Sequence, residues 1–213
     1  ILWNKKLDRA VVLTSRVKRF LAILLFTTFA MTALCLSSPS CTNMVIFTPL
    51  ILTYGISTLL EKIFFISFKN KGKQRIKSIA GLRTIAITAS YGKTSIKNYL
   101  YHVLKNKYKT YKTPRSVNTI AGIVLDVNRD IPLDTQIYIA EAGARVKGDI
   151  EEIAMFLEPQ ICIIGSVGPQ HIEYFKTLDN IIHTKMELLK SPRMKMGFVH
   201  ESVPIKAYST ITK

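Results

Sequence analysis

The run Thr88-Ala89-Ser90-Tyr91-Gly92-Lys93-Thr94-Ser95 places a glycine, a lysine and five hydroxyl-bearing residues where a β-rich stretch gives way to an amphipathic one. Backbone N–H groups at such a strand-to-helix turn point at an anion, a lysine at Lys93 reaches β/γ-phosphates, and a hydroxyl at Thr94 ligates Mg2+. A Gly-Lys-Thr triplet alone also suits an ordinary turn. The longer pattern G-x-x-x-x-G-K-[ST] needs a glycine at the position of Ile87, so a shorter loop is expected. Downstream, Glu141 closes a second β-rich run and precedes Ala142-Gly143-Ala144 and Gly148-Asp149-Ile150. A carboxylate at the C-terminal end of a central strand faces the nucleotide crevice of an α/β sheet, where a hard cation bridges phosphates. A solvated strand-end glutamate is the alternative. Thr113-Pro114-Arg115-Ser116-Val117-Asn118 reads by itself as a helix-start loop. His171-Ile172-Glu173 has the H-x-E form of a zinc deaminase, but the downstream P-C-x-x-C of that chemistry is missing from the sequence. His183 and Glu187 share a helical spacing without a third ligand nearby, so we expect helix-surface polarity there.

These groups need a scaffold, and the pattern from about Leu82 onward supplies one. Short β-rich runs alternate with helical stretches, which predicts an α/β fold with a parallel sheet and crossover helices. Strands are expected at Thr84 to Thr88, Tyr108 to Tyr111, Gln136 to Ala140, Ile161 to Ile164 and Gly197 to His200. Between the first two, Ile96, Leu100, Val103 and Leu104 line one helical face.

Ahead of this pattern the chain is different. Phe20 to Leu36 and Met44 to Leu60 carry no charge, and each is 17 residues long, near the short end of a bilayer span. A buried helical hairpin of a soluble domain is the alternative. Lys5, Lys6, Arg9, Arg16, Lys18 and Arg19 precede the first segment, Lys62, Lys69, Lys71, Lys73, Arg75 and Lys77 follow the second, and Ser37 to Asn43 has no Lys or Arg. By the positive-inside rule this predicts a membrane hairpin with both ends in the cytoplasm. A cleaved signal peptide is the rival, opposed by the second apolar segment.

The 213 residues are 48% hydrophobic, which excludes a disordered tail, and 30 Lys+Arg against 14 Asp+Glu give a formal charge of +16. The two flanks, residues 1 to 19 and 61 to 77, account for +10 of it and the rest of the chain for +6. The excess is therefore mostly a topology signal suited to an anionic cytoplasmic leaflet, with a modest remainder suited to a phosphate-bearing ligand. No helix combines clustered basic residues with exposed aromatics, so nucleic acid is not an expected partner. Cys35, Cys41 and Cys162 have neither paired disulfide spacing nor a C-x-x-C, which excludes a disulfide scaffold and a zinc ribbon. Ile1 in place of an initiator methionine, and a chain that stops at Lys213 without a closing element, lead us to expect a fragment.

Four motifs in order resemble one family. The loop at residues 88 to 94 is similar to the T-G-[ST]-x-G-K-T of the Mur ligases, ATP-dependent amide ligases of peptidoglycan synthesis and folate polyglutamylation, with Ala89 where glycine is usual. Thr113 to Asn118 with Gly122 resembles the family's T-P-x-x-x-N-x-x-x-G segment. Glu141-Ala142-Gly143-Ala144 with Gly148-Asp149-Ile150 resembles E-[ML]-G-A-x-x-x-G-[DE]-I of the branch that adds D-alanyl-D-alanine to UDP-N-acetylmuramoyl tripeptide. Ser166 to Glu173 resembles N-x-x-x-x-H-[LI]-[ED], with Ser166 in place of asparagine.

The resemblance covers about Thr84 to Lys190 and implies a truncated central ATP-binding domain over 82–213. A basic segment (1–19), a two-helix hairpin (20–68) and a basic linker (69–81) are expected to precede it. It implies ATP and Mg2+ as cofactors. Ala89, Ser90, Tyr91, Gly92, Lys93, Thr94, Ser95 and Asn118 are the implied nucleotide contacts, Lys93, Lys185 and His171 the catalytic groups. Thr94 and Glu141 hold one metal, and His171 helps hold a second with Lys185, the position the family typically carbamylates. The implied reaction makes an acyl phosphate from a substrate carboxylate, which an amine then attacks. The substrates are UDP-N-acetylmuramoyl tripeptide and D-alanyl-D-alanine, and the expected place is the cytoplasmic face of a bacterial inner membrane. The hairpin stands where a soluble uridine-nucleotide-binding domain normally precedes the ATPase, so these 213 residues alone are expected to bind ATP weakly and ligate nothing. The rivals are a folate-polyglutamylating ligase and a membrane-tethered P-loop ATPase or kinase.

Overall fold

The computed structural model describes residues 13–35, 44–170 and 172–203. The basic residues up to Arg9, the loop Ser37 to Asn43 and His171 lie outside the described residues. The chain divides into two compact units, one ending at Ser67 and the other beginning at Phe68.

The first unit holds α1 (Ser15–Cys35) and most of α2 (Met44–Ser78). Each is long and apolar enough to cross a membrane by length and composition. Their large side chains are mostly uncovered, including Leu25, Phe26, Phe29, Ile51 and Leu59. Polar contacts are among those that join the two helices. The Thr27 and Thr53 hydroxyls hydrogen-bond at 2.8 Å, and Arg19 Nη2 donates to Glu61 Oε1 at 2.6 Å with its guanidinium over the Phe64 ring. Cys35 is disulfide-bonded, a single bridge that the cysteine spacing did not lead us to expect and that does not make a disulfide scaffold.

In the second unit, residues 69–78 are helical rather than a linker, because Ile76, with Ile79 and Leu82 just beyond the helix, is apolar enough to join the domain core. Lys69 pairs with Glu152 at 2.6 Å and Lys73 with Glu158 at 2.9 Å, so part of the basic flank has local acidic partners. Five parallel strands follow: β1 (Arg83–Thr88), β2 (Thr110–Lys112), β3 (Ile137–Glu141), β4 (Ile161–Ile164) and β5 (Met196–Val199), in the order β2-β3-β1-β4-β5. Each strand lies within two residues of its expected start. Crossovers are made by α3 (Lys93–Leu104), α4 (Ile120–Arg129) and α5 (Asp149–Leu157), then α6 (Ile172–Phe175) and α7 (Leu178–Met186) with a 3-10 turn at Glu187–Lys190.

Side chains alternate across the sheet. Ile85 and Ile87 of β1 and Ile137 and Ile139 of β3 pack with Ile96, Leu100 and Leu104 of α3. Ala86, Tyr138, Ala140, Cys162 and Ile164 join Ile123, Val127, Ile153 and Leu157 in the larger core. The strand sequence reverses direction around β1, and in open α/β sheets such a switch point opens a crevice at the carboxyl ends of the strands.

Candidate active site

The turn from β1 to α3 is only Ala89 to Gly92. Ile87 is wholly buried inside the strand, which accounts for the missing glycine of the longer loop pattern. Gly92 sits at φ 79°, a conformation that favours glycine, and no side chain caps the first turn of α3. Non-glycine residues with positive φ among those described are Arg115, Glu158 and Lys176, so Ala89 keeps an ordinary backbone. Its methyl packs where a Cβ on Gly165 would come within 3.0 Å, which makes Gly165 the residue that yields space. Ser90 fastens the turn to the next loop. Its N–H donates to Ser166 O at 2.8 Å and its hydroxyl to Gly168 O at 2.9 Å. Tyr91 is exposed, with its ring beside Gly168, and Ser95 follows in the first turn of α3.

Lys93 Nζ donates to Ala89 O at 2.7 Å, and Lys185 Nζ, from α7, donates to the same oxygen at 3.1 Å. Burial lowers the Lys93 ammonium while nearby Glu141 raises it, with burial prevailing. Burial, and then the Lys93 charge, bring Lys185 down to about 8. Both lysines line a cavity of about 430 Å³ with Asn118, Gly143, Arg145 and Gln170. That volume falls in the ordinary range for ligand pockets.

Glu141 ends β3, next to the β1 turn. The strand-end solvated glutamate is excluded, because the side chain is 1% exposed. Its Oε2 accepts from Thr94 Oγ1 at 3.2 Å, and its Oε1 lies 2.6 Å from Lys97 Nζ, a Coulombic contact without good hydrogen-bond angles. Asn118 is held by its backbone, since its carbonyl accepts from Gly143 N at 2.8 Å, and its amide packs on Gly143. Thr88 Oγ1, buried at the end of β1, has no hydrogen-bond partner.

A carboxylate and a hydroxyl side by side are hard oxygen donors, and their spacing at Thr94 and Glu141 suits Mg2+. The described residues contain no cluster of three or more His, Cys, Asp or Glu. His171 is outside them, so the structure brings together Lys93, Thr94, Asn118, Glu141 and Lys185 of the expected set. Lys97 was not foreseen. Its spacing from Lys93 puts it one turn further along α3, and a lysine on the buried side of an otherwise apolar helix face is the signal that could have found it.

Glu187 corrects another expectation. It is buried, not on a helix surface, and accepts from Gly148 N at 2.9 Å and Glu151 N at 3.2 Å, capping α5. His183 is half exposed and pairs with Asp179 at 3.2 Å. Cys162 has no thiolate chemistry at neutral pH, since burial pushes its thiol up to about 12.

An open parallel α/β domain with a cation-lined cavity at the carboxyl ends of its central strands belongs to the class that binds ligands at a topological switch point. The Mur ligase middle domain matches residues 87–206, more than half of the chain, and the chain belongs to that family. A UDP-N-acetylmuramoyl-tripeptide--D-alanyl-D-alanine ligase of Borreliella burgdorferi is 35% identical over 107 residues, covering 50% of this chain and 23% of the relative. The Bacillus subtilis protein of the same name is 30% identical over 136 residues, covering 62% and 30%. The MurF ligase of Thermotoga maritima, solved in complex with ADP, superposes with a TM-score of 0.60 at 28% identity over 68% of this chain and 34% of that one. The chain thus spans less than a third of the length of the curated relatives it matches.

Proposed function

We propose that this chain carries the ATP-handling part of an ADP-forming amide ligase that adds D-alanyl-D-alanine to UDP-N-acetylmuramoyl tripeptide. The observation that carries the reading is the meeting of Thr94 and Glu141 at 3.2 Å beside Lys93, a residue that lines the cavity. The curated relatives with this name and the ADP-bound MurF neighbour support the substrate class.

Residues 89 to 95 form a phosphate-binding loop in this reading, with the uncapped N–H groups of α3 aimed at the nucleotide. Lys93 turns its ammonium from Ala89 O to a phosphate oxygen. Thr94 and Glu141 hold one Mg2+, and His171 with a carbamylated Lys185 helps hold the second. Bound Mg2+ neutralises charge spreading over the transferred phosphoryl group. Lys185 is suited to carbamylation because its lowered pKa leaves part of it as the free amine that reacts with CO2. Asn118, fixed through Gly143, lines the same cavity and orients the nucleotide.

The uncovered apolar faces of α1 and α2 face lipid in this account, because apolar surface of that extent is costly in water. Polar pairs such as Thr27–Thr53 are satisfied between the helices, as a bilayer demands. The basic flanks place both ends on the cytoplasmic side, and a disulfide at Cys35 belongs at the opposite end, where oxidising conditions prevail.

The test is ADP release by the complete reading frame in anionic lipid vesicles. Release that requires both UDP-N-acetylmuramoyl tripeptide and D-alanyl-D-alanine is expected. Release without either substrate would favour a tethered ATPase, and a requirement for folate and glutamate would favour the other branch.

A further inference from the structure

Lys97 is 1% exposed, as is Glu141, and the described residues contain no other lysine so completely buried. An ammonium has three N–H donors. Here two donate to carbonyls, Thr113 O at 2.9 Å and Arg115 O, and the charge lies 2.6 Å from Glu141 Oε1 as an ion pair. One side chain from α3 thus joins the carboxylate that ends β3 to two carbonyls of the loop that leads to Asn118. Arg115, whose carbonyl accepts one of these bonds, adopts a φ of 48°, in the left-handed region.

The contact is costly to build. Taking two charges from water often costs more than their attraction returns, and apolar replacements of such pairs leave equal or greater stability in many proteins. Stability therefore does not explain it. The pair's geometry offers a different reason: with Oε1 held by Lys97, the other carboxylate oxygen, Oε2, is turned toward Thr94 Oγ1.

We propose that Lys97 is a positioning residue for the metal-nucleotide site, fixing Glu141 so that Oε2 and the Thr94 hydroxyl present a ready pair of oxygens, and fixing the loop that carries Asn118. The proposal rests on the reading of Glu141 as a Mg2+ ligand. Groups that orient a ligand from behind typically change metal affinity about 10- to 100-fold when removed.

The experiment titrates Mg2+ into the full chain in nanodiscs at a fixed concentration of a fluorescent ADP analogue, so that no turnover is involved. Four proteins are compared: wild type, Lys97→Met, Glu141→Gln and the double variant. We expect Lys97→Met to raise the half-saturating Mg2+ concentration at least 10-fold while metal-free binding of the analogue stays within about 2-fold. We expect no further shift when Lys97→Met is added to Glu141→Gln, the non-additivity of groups that act through one another. A wild-type Mg2+ dependence in Lys97→Met, or additive shifts in the double variant, overturns the proposal. An unchanged Mg2+ dependence in Glu141→Gln instead overturns the ligand reading beneath it. Lys97→Gln, which keeps a donor for the two carbonyls and removes the charge, replaces the methionine variant if that one does not fold. Failure of both to fold assigns Lys97 a purely structural role and also overturns the proposal.

Discussion

Lys93 Nζ and Lys185 Nζ converge on one carbonyl oxygen, Ala89 O, at 2.7 and 3.1 Å. Two ammonium groups sharing a neutral acceptor repel each other, and the nearest carboxylate, Glu141, is already engaged by Lys97 and Thr94. Lys93, Lys185 and Arg145 line the cavity against one carboxylate, Asp149, which leaves the lining with an excess of positive charge. A polyphosphate is the kind of ligand that balances such a lining. Four further consequences are testable.

Lys185 titrates near neutrality. With a pKa of about 8, about one tenth of it is free amine at pH 7, some 300-fold more than for an ordinary lysine. Incubation with 13C-bicarbonate should give one carbamate signal that grows as pH rises toward 8 and is missing in Lys185→Met. The sign for stability follows. The folded state binds fewer protons than the unfolded state between about pH 8 and 10.5, so this group makes stability rise with pH across that window. Its burial cost is fully present below pH 8. Denaturant midpoints of wild type relative to Lys185→Met should therefore climb between pH 8 and 10.5, and a flat difference would refute the shift.

Gly143 has no room for a side chain. A Cβ there would meet Asn118 Cγ at 2.8 Å and Oδ1 at 3.0 Å. Gly143→Ala should push the Asn118 amide off its position, cost about 1–3 kcal/mol as overpacking does, and weaken nucleotide binding. Thermal denaturation and nucleotide titration check the two effects separately.

Tyr138 donates to Asp126 Oδ2 at 2.7 Å and Tyr111 to Oδ1 at 2.6 Å, beneath the sheet. Burial raises the Asp126 carboxyl despite these donors, so the cluster already carries a desolvation cost. Tyr138→Phe removes one donor and leaves an acceptor unmatched, which should cost about 1–3 kcal/mol. Urea denaturation should register the loss with nucleotide affinity unchanged, because the cluster lies away from the cavity lining.

Glu187 satisfies N–H groups at the start of α5, from Gly148 and Glu151. Glu187→Ala leaves those half-buried donors without their acceptor and should lower stability by about 1 kcal/mol. Amide exchange should accelerate at Gly148 and Glu151 ahead of the sheet, which distinguishes a lost cap from general loosening.

The sequence made most of the scaffold legible because period-2 and period-3.6 patterns are set by burial. Ile85 and Ile87 alternate with Ala86, and Ile96, Leu100 and Leu104 repeat along α3, so β1 and α3 could be read directly. That Thr94 and Glu141 sit together was legible because the start of α3 and the end of β3 both lie at the carboxyl edge of an α/β sheet. Lys97 and Glu187 were not, since a charged residue on a helix is ordinarily solvated and the partners that bury these two, Thr113 and Gly148, lie far along the chain. The helical stretch at 69–78 was hidden by its charge, which drew attention from Ile76. Cys35 escaped a spacing argument that only excluded a framework of paired cysteines.

In the proposed function Lys93 and its loop bind the phosphates of ATP. Titration of ATP into the chain in anionic nanodiscs, with and without Mg2+, tests it most directly, with Lys93→Met as the comparison. We predict weak, saturable binding that strengthens with Mg2+ and falls about 10-fold or more in Lys93→Met, the loss expected for a charge-assisted hydrogen bond. Equal affinity in wild type and Lys93→Met, or binding indifferent to Mg2+, would contradict the account.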